Sequence, residues 1–315
     1  MTKPPVNILA LMQRYICDNQ IALTQYMFTA NERHKAIKEF LTTENQSRSS
    51  HSIIDNEREI LKHLIIQLDE HLFLRLAEIF EKSYEYIDVF FKDRSSQKAR
   101  MTLKIIEAGK LVTLLKIPEI FLEHEGAGMS DNTAFADIAT GDAHFICNDI
   151  PHAIKSNDYK NNRIDIEKAK KYKSPKSNND SPDPEWANCW HPVIRLDGHR
   201  RIAAPPETCY KSTVVVPMSL PTKDLSQKFK NRFNLSSSNA ERAIFGFLCL
   251  DHTSVGFFKD PVDIHFAYII SDMLSLYLIH QLMCTQYSSV YLEARGLASQ
   301  ARDKVTSDYT ASHNS

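Results

Sequence analysis

Two apolar segments that lead into a capped helix limit the fold most strongly. Tyr210–Met218 (YKSTVVVPM) holds three consecutive valines, and Ala243–Asp251 (AIFGFLCLD) alternates around Gly246, where there is no side chain to pack. Side chains branched at Cβ pack well on a pleated surface, so both segments read as strands. Phe257-Phe258-Lys259-Asp260-Pro261 then opens an amphipathic helix. Asp260 suits its cap and Pro261 its first turn, where a missing N–H costs nothing. Phe266, Ile269, Ile270, Met273, Leu274, Tyr277 and Met283 define its buried face, and it is expected to run to about Asp303, before a polar tail.

The same stretch resembles the end of a GAF domain, the small ligand-sensing module related to PAS. Two other segments carry the resemblance. Arg100–Leu114 (RMTLKIIEAGKLVTL) looks like the opening hairpin, with Ala108-Gly109-Lys110 at its turn, and Ala143–Pro151 (AHFICNDIP) looks like the middle strand. The resemblance covers roughly residues 98 to 285 and lies in element order and strand character. It implies an α+β fold: a GAF/PAS-like antiparallel sheet with flanking helices, preceded by a helical N-terminal region with one long helix. The expected organisation is an N-terminal helical segment and linker at 1–50 and a long signalling or dimerisation helix at 51–97. The GAF-like domain follows at 98–285, with a flexible polar insert near 155–185, and a helix extension and disordered tail occupy 286–315.

Periodicity supports the helical part. Ile8, Leu11, Met12, Tyr15, Ile16, Leu23, Tyr26 and Met27 recur at helical spacing within 6–41, and Thr42–Ser52 (TTENQSRSSHS) reads as a linker. From Ile53 to Phe91 neither Pro nor Gly interrupts a stripe of Leu61, Leu64, Leu68, Leu72, Leu76, Ile79, Ile87 and Phe90. A helix of about 40 residues is roughly 60 Å long. Part of its apolar face therefore needs another helix, from this chain or from a second copy. Asp131 is a plausible cap for a short helix over 130–140, and Asp165–Tyr172 suits another. The rest of Lys155–Glu185 is dense in Lys, Asn, Asp and Ser, and offers little apolar surface to offset the entropy of ordering.

Composition excludes several function classes. The net charge of −1 over 315 residues gives no electrostatic reason for nucleic-acid or membrane binding. The six cysteines, at 17, 147, 189, 209, 249 and 284, form no CxxC, and no apolar N-terminal signal segment or bilayer-length apolar run is evident. A cytoplasmic protein with reduced thiols is expected. Walker A, GxGxxG, HExxH and GxSxG patterns do not occur, so the common nucleotide-binding and hydrolase classes lose support, and a non-enzymatic role is expected.

Three kinds of site remain. Cys189, His191, His199 and Cys209 have the right ligand types for zinc, but not the spacing of a ribbon or finger. Free methionine sulfoxide reductases, an enzyme branch with a GAF-like fold, use pocket thiols; Cys147, Cys189 and Cys209 are the residues that could line such a pocket here, without that branch's cysteine pattern. The third kind is implied by the resemblance. A ligand over one sheet face would be roofed by 149–163 and 190–201, which brings in Asn148, Asp149, Tyr159, Trp190, Arg195, Arg200 and Arg201. Eight Lys or Arg against three acids between Asn188 and Arg232 favour an anionic ligand. The signature of cyclic-nucleotide GAF domains is not clear: after Phe258 the acids are Asp260 and Asp263, which are not adjacent.

The resulting expectation is a cytosolic sensory or regulatory GAF-like protein without an effector domain of its own. It would act as a homodimer or through an unidentified protein partner, with a small anionic ligand. The alternatives are a structural scaffold subunit of a larger complex with no ligand and, third, a thiol- or metal-dependent enzyme.

Overall fold

The computed structural model describes residues 7–46, 51–95, 97–107, 109–117, 123–173, 183–197, 200–204, 209–227, 230, 241–281 and 283. The chain divides into two compact units, one of residues 1–16 with 80–275 and one of residues 17–79 with 276–315. Two long helices come first, α1 (Ile8–Gln46) and α2 (His51–Phe91). Helix α1 continues five residues beyond the expected boundary at 41, so the first part of the polar linker is helical. Serine crowding was a poor guide there, because Thr, Glu, Asn and Gln have only modest helix penalties beside Gly or Pro.

The first unit is α+β, as expected. The first four strands of its six-stranded antiparallel sheet are β1 (Arg100–Glu107), β2 (Lys110–Ile117), β3 (Glu123–Gly128) and β4 (Phe145–Cys147). Between β3 and β4 lies α3 (Thr133–Thr140); after β4 come α4 (Ile150–Lys155), α5 (Ile166–Lys171) and α6 (Pro184–Ala187). A separate two-stranded ribbon, β5 (Val193–Asp197) and β6 (Arg200–Ala204), precedes the closing strands β7 (Ser212–Pro221) and β8 (Arg242–His252). The last described helix is α7 (Val262–Gln281). The sheet order is β3-β2-β1-β8-β7-β4, so the opening hairpin joins the closing pair along β1 and β8.

Strand register explains the apolar pattern. Val214, Val216 and Met218 alternate with Val215 along β7, and all four are buried, so this strand is covered on both faces and reads as a continuous apolar run. On one side, the end of α2 meets the start of α7: Phe90 stacks on Phe266 at 4.0 Å, and Ser271 of α7 donates to the Pro217 carbonyl of β7. On the other side, Ala134, Phe135 and Ile138 of α3 pack with Leu111, Val215, Phe247 and Cys249.

Several local details differ from the sequence reading. The cap of α3 is Asn132, whose side chain accepts from the Ala134 N–H at 3.0 Å; Asp131 instead accepts from the Gly128 N–H. At the start of α7 the carboxylate bonded to the turn is Asp263, which accepts from the Lys259 N–H at 2.6 Å and from Arg94 Nη2 at 2.7 Å. Asp263 is fully buried, whereas Asp260 is exposed. Helix α7 is long and apolar enough by composition to span a bilayer, contrary to the expectation of no such run, but Phe266, Ala267, Ile270, Leu274 and Tyr277 are buried within the protein.

The polar insert near 155–185 is the largest correction. Over 155–173 and 183–185 it is folded, with α5 capped by Asp165 and α6 capped by Asp183. Tyr159, Ile164, Ala169 and Tyr172 share a buried cluster with Ile150, Ile154, Trp186, Cys189, Trp190 and Tyr210. Few apolar side chains are involved, but three of them, Tyr159, Ile164 and Tyr172, are large and buried. Residues 174–182, and the expected extension and tail at 286–315, lie outside the described residues.

In the second unit, Leu72, Leu76 and Ile79 of α2 are buried, as are Tyr26 and Ala30 of α1. Tyr26 donates to Gln281 Oε1 at 2.9 Å and packs edge-on against Tyr277 at 5.4 Å, while Tyr277 donates to the Asn19 carbonyl at 2.8 Å. The α2 stripe, at Leu72 and Leu76, is thus covered by this chain itself.

Candidate functional site

The sheet face away from α7 carries an unusual set of polar groups. Alternation along β1 puts Arg100, Thr102 and Lys104 on one side. Their partners on β8 are Asp251, Cys249 and Phe247, and Thr213 of β7 sits opposite Asp251. Arg100 Nε donates to Asp251 Oδ2 at 3.0 Å, and Thr213 Oγ1 donates to Asp251 Oδ1 at 2.7 Å. Burial pulls the Arg100 pKa down, but Asp251 and then Tyr210 more than offset it, and the guanidinium holds its proton more tightly than usual.

The cation leads directly to an aromatic stack. Arg100 Cζ lies 4.9 Å from the centre of the Tyr210 ring, Tyr210 packs edge-on to Trp190 at 4.7 Å, and Trp190 packs edge-on to Trp186 at 6.3 Å. Asn161 Nδ2 donates to the Tyr210 hydroxyl at 2.9 Å, and Trp186 Nε1 donates to the Tyr210 carbonyl at 3.1 Å. Behind this stack, Lys211 pairs with Asp183 at 2.7 Å, and Asp183 also accepts from the Tyr172 hydroxyl. Burial favours the neutral form of Asp183, but the bonds from Lys211, Tyr172 and the Trp186 N–H outweigh it, so its pKa falls below the ordinary value.

Two polar atoms in this region are buried and have no hydrogen-bond partner among the described residues: Thr102 Oγ1 and Trp190 Nε1. Buried donors are nearly always paired, so each such atom asks for an explanation. Thr102 lies two residues from Arg100 on the same strand face, and Trp190 packs edge-on against Tyr210, which Arg100 also contacts.

The expected ligand residues fall into three groups. Tyr159 and Trp190 are indeed brought together, but as members of the buried cluster. Asn148 and Asp149 are committed to backbone. Asn148 Nδ2 donates to the Phe258 carbonyl at 2.9 Å and its Oδ1 accepts from the Phe258 N–H at 3.0 Å, while Asp149 caps α4 through the His152 N–H at 2.9 Å. Arg195, Arg200 and Arg201 sit on the β5–β6 ribbon, with Asp197 opposite Arg200 and Leu196 opposite Arg201, and their side chains lie outside the described residues. Sequence reasoning passed over Arg100, Thr102 and Asp251. The signal available was polar residues at alternate positions of β1, a strand whose other positions, Met101 and Leu103, are apolar.

Among the described residues five cysteines are free: Cys17 is exposed, Cys147 and Cys209 are half-buried, and Cys189 and Cys249 are buried. Burial is the main force that pushes the Cys147 and Cys209 thiols up to about 11 and Cys249 up to about 12, and it also raises Cys189. These four are protonated at neutral pH, whereas nucleophilic attack needs the thiolate. No group of three or more His, Cys, Asp or Glu side chains among the described residues is arranged to hold a metal ion; His199 of the considered set lies outside them.

No family model matches the chain, and no curated protein matches it. Among solved structures, it is similar to the phycoerythrobilin-bound GAF domain from a cyanobacterial phytochrome, with 11% identity, a match covering 68% of this chain and 96% of that one, and a TM-score of 0.29.

Proposed function

We propose that this chain is a cytosolic sensory or regulatory protein that binds a small anionic ligand on the Arg100 face of its sheet and acts through dimerisation or a protein partner. The observation that supports it is a pair of buried, unpartnered groups, Thr102 Oγ1, two residues from Arg100 on β1, and Trp190 Nε1, whose ring packs on the same Tyr210 that Arg100 contacts. Both can donate to an oxygen acceptor. A carboxylate or phosphate near Arg100 would satisfy them and gain a charge-assisted bond.

Thermal melts with a panel of carboxylates and phosphates test this reading. An anion that stabilises the wild type should have no effect on Thr102→Val, whose apo form should melt at or above wild type because an unsatisfied hydroxyl has been removed. A Thr102→Val protein that is destabilised without ligand, in a wild type that responds to no anion, would rule the site out. A second reading, a scaffold without ligand, draws on the burial of Tyr159 and Trp190 and on the backbone duties of Asn148 and Asp149.

A further inference from the structure

Helix α1 exposes large apolar side chains along one side: Ile21 is 62% exposed, Met27 47% and Phe28 67%. Cys17, Ile21, Thr24, Phe28 and Asn31 follow one another at alternating steps of four and three and are all exposed. That is the spacing of a helix–helix seam. Gln20 and Met27 border it on one side, and from Cys17 to Asn31 no charged residue lies on it. Exposed contiguous apolar surface of this kind marks a contact site.

The charges that bracket the seam identify what covers it. Arg14 and Glu32 are both exposed and make no ion pair among the described residues. They are eighteen residues apart, which is about five full turns at 3.6 residues per turn, so they stand on the same line along the helix. A two-fold axis across the helix at the level of Leu23 therefore places Arg14 against Glu32 of a second copy, twice. The same rotation lays Phe28 of one copy over the hole between Cys17 and Ile21 of the other. A parallel pairing would set Arg14 on Arg14 and Glu32 on Glu32. The strip is thus its own complement in one orientation, which is the requirement for an isologous interface.

We propose that two copies of this chain associate antiparallel through the Cys17–Asn31 strip of α1, with Arg14 and Glu32 closing the two ends. The inference rests on the dimerisation reading above and states which surface carries it. It moves the interface from α2, where Leu72 and Leu76 are already buried within the chain, to α1.

The test uses the full-length protein. Light scattering at about ten micromolar should give a dimer for wild type and a monomer for Phe28→Glu, with the far-UV circular dichroism spectrum of the monomer unchanged because the position is exposed and its substitution leaves the chain folded. Arg14→Glu should weaken association several-fold, and Arg14→Glu with Glu32→Arg should restore it. Under mild oxidation Thr24→Cys, near the axis, should form a disulfide-linked dimer. Native Cys17 should not link to its counterpart, since antiparallel packing separates the two. A Phe28→Glu dimer would overturn the α1 interface while leaving dimerisation standing. A wild type that is strictly monomeric would overturn both. Ready Cys17–Cys17 linkage, or tighter association in Arg14→Glu, would show that the orientation is wrong.

Discussion

Gly246→Ala probes how tightly the two halves of the sheet are joined. Gly246 lies on β8 opposite Ile105 of β1 and Met218 of β7. A Cβ built there would meet the Lys104 carbonyl oxygen at 2.3 Å, where ordinary contact begins near 3.4 Å. The obstacle is backbone, so a rotamer change cannot relieve it. Strand β1 would have to retreat by ~1 Å, in the range where overpacking costs about 1–3 kcal/mol. One or two ladder hydrogen bonds stretched by that shift would add ~0.5–1.5 kcal/mol each. Replacing glycine in a strand interior returns about 0.5–1 kcal/mol. Taken at their middle values these contributions leave a net loss of about 3 kcal/mol, or a fall in Tm of roughly 6–12 °C for a unit of this size. Thermal melts followed by far-UV circular dichroism measure it. Gly109→Ala is the control: a Cβ there meets nothing within 4 Å, and its φ of +77° should cost only about 1–2 kcal/mol of left-handed strain. A Gly246→Ala protein that melts with the wild type, or above Gly109→Ala, would refute the close approach of β1 and β8.

Trp190→Ala should lose about 3–5 kcal/mol without any ligand, because the indole fills a buried cluster; a melt near wild type would return Trp190 to a pocket wall. The thiols should divide by burial: at pH 8 an aromatic disulfide reagent should reach the half-buried Cys147 and Cys209 before Cys189 and Cys249, which react only on unfolding. The same groups give alkaline sensitivity. Their folded pKa values, about 11 for Cys147 and Cys209 and about 12 for Cys249, exceed the unfolded value of about 8.5. The folded state then binds more protons, so this contribution is complete below about pH 8.5 and is lost as pH rises toward 11–12. Urea midpoints that hold steady from pH 8 to 11 would contradict it.

The elements that sequence placed well are those in which local chemistry and tertiary demand agree. The valines of β7 favour extended backbone and are buried there, and Gly109, in the turn between β1 and β2, has a positive φ that glycine adopts freely. Stretches settled by distant partners were opaque. The Glu123–Gly128 strand (EHEGAG) has no strand propensity of its own and is fixed by pairing with β2. Tyr159 and Tyr172 sit in a polar run, and their burial depends on Asn161, Tyr210 and Lys211, the last two some forty to fifty positions away in sequence. The candidate site was half legible for the same reason. Aromatic and charged residues near 190–210 suggested the right neighbourhood, but Asp251 meets Arg100 across 151 positions of sequence. Asn148, read as a ligand contact, reaches Phe258 across 110.

The sheet order has a consequence during synthesis. Strand β1 is made early, yet its neighbour β8 ends only at His252. At roughly 5–20 residues per second, the ribosome needs on the order of 10–30 s to cover that interval. Throughout it, the free side of the β1–β2 hairpin, with Met101 and Leu103 on one face, presents an unpaired edge of the kind that recruits other nascent chains. A transcript that stops before Arg242 would release a polypeptide with that edge permanently open. Chaperone dependence and the fate of truncated products are therefore written into the position of one late strand.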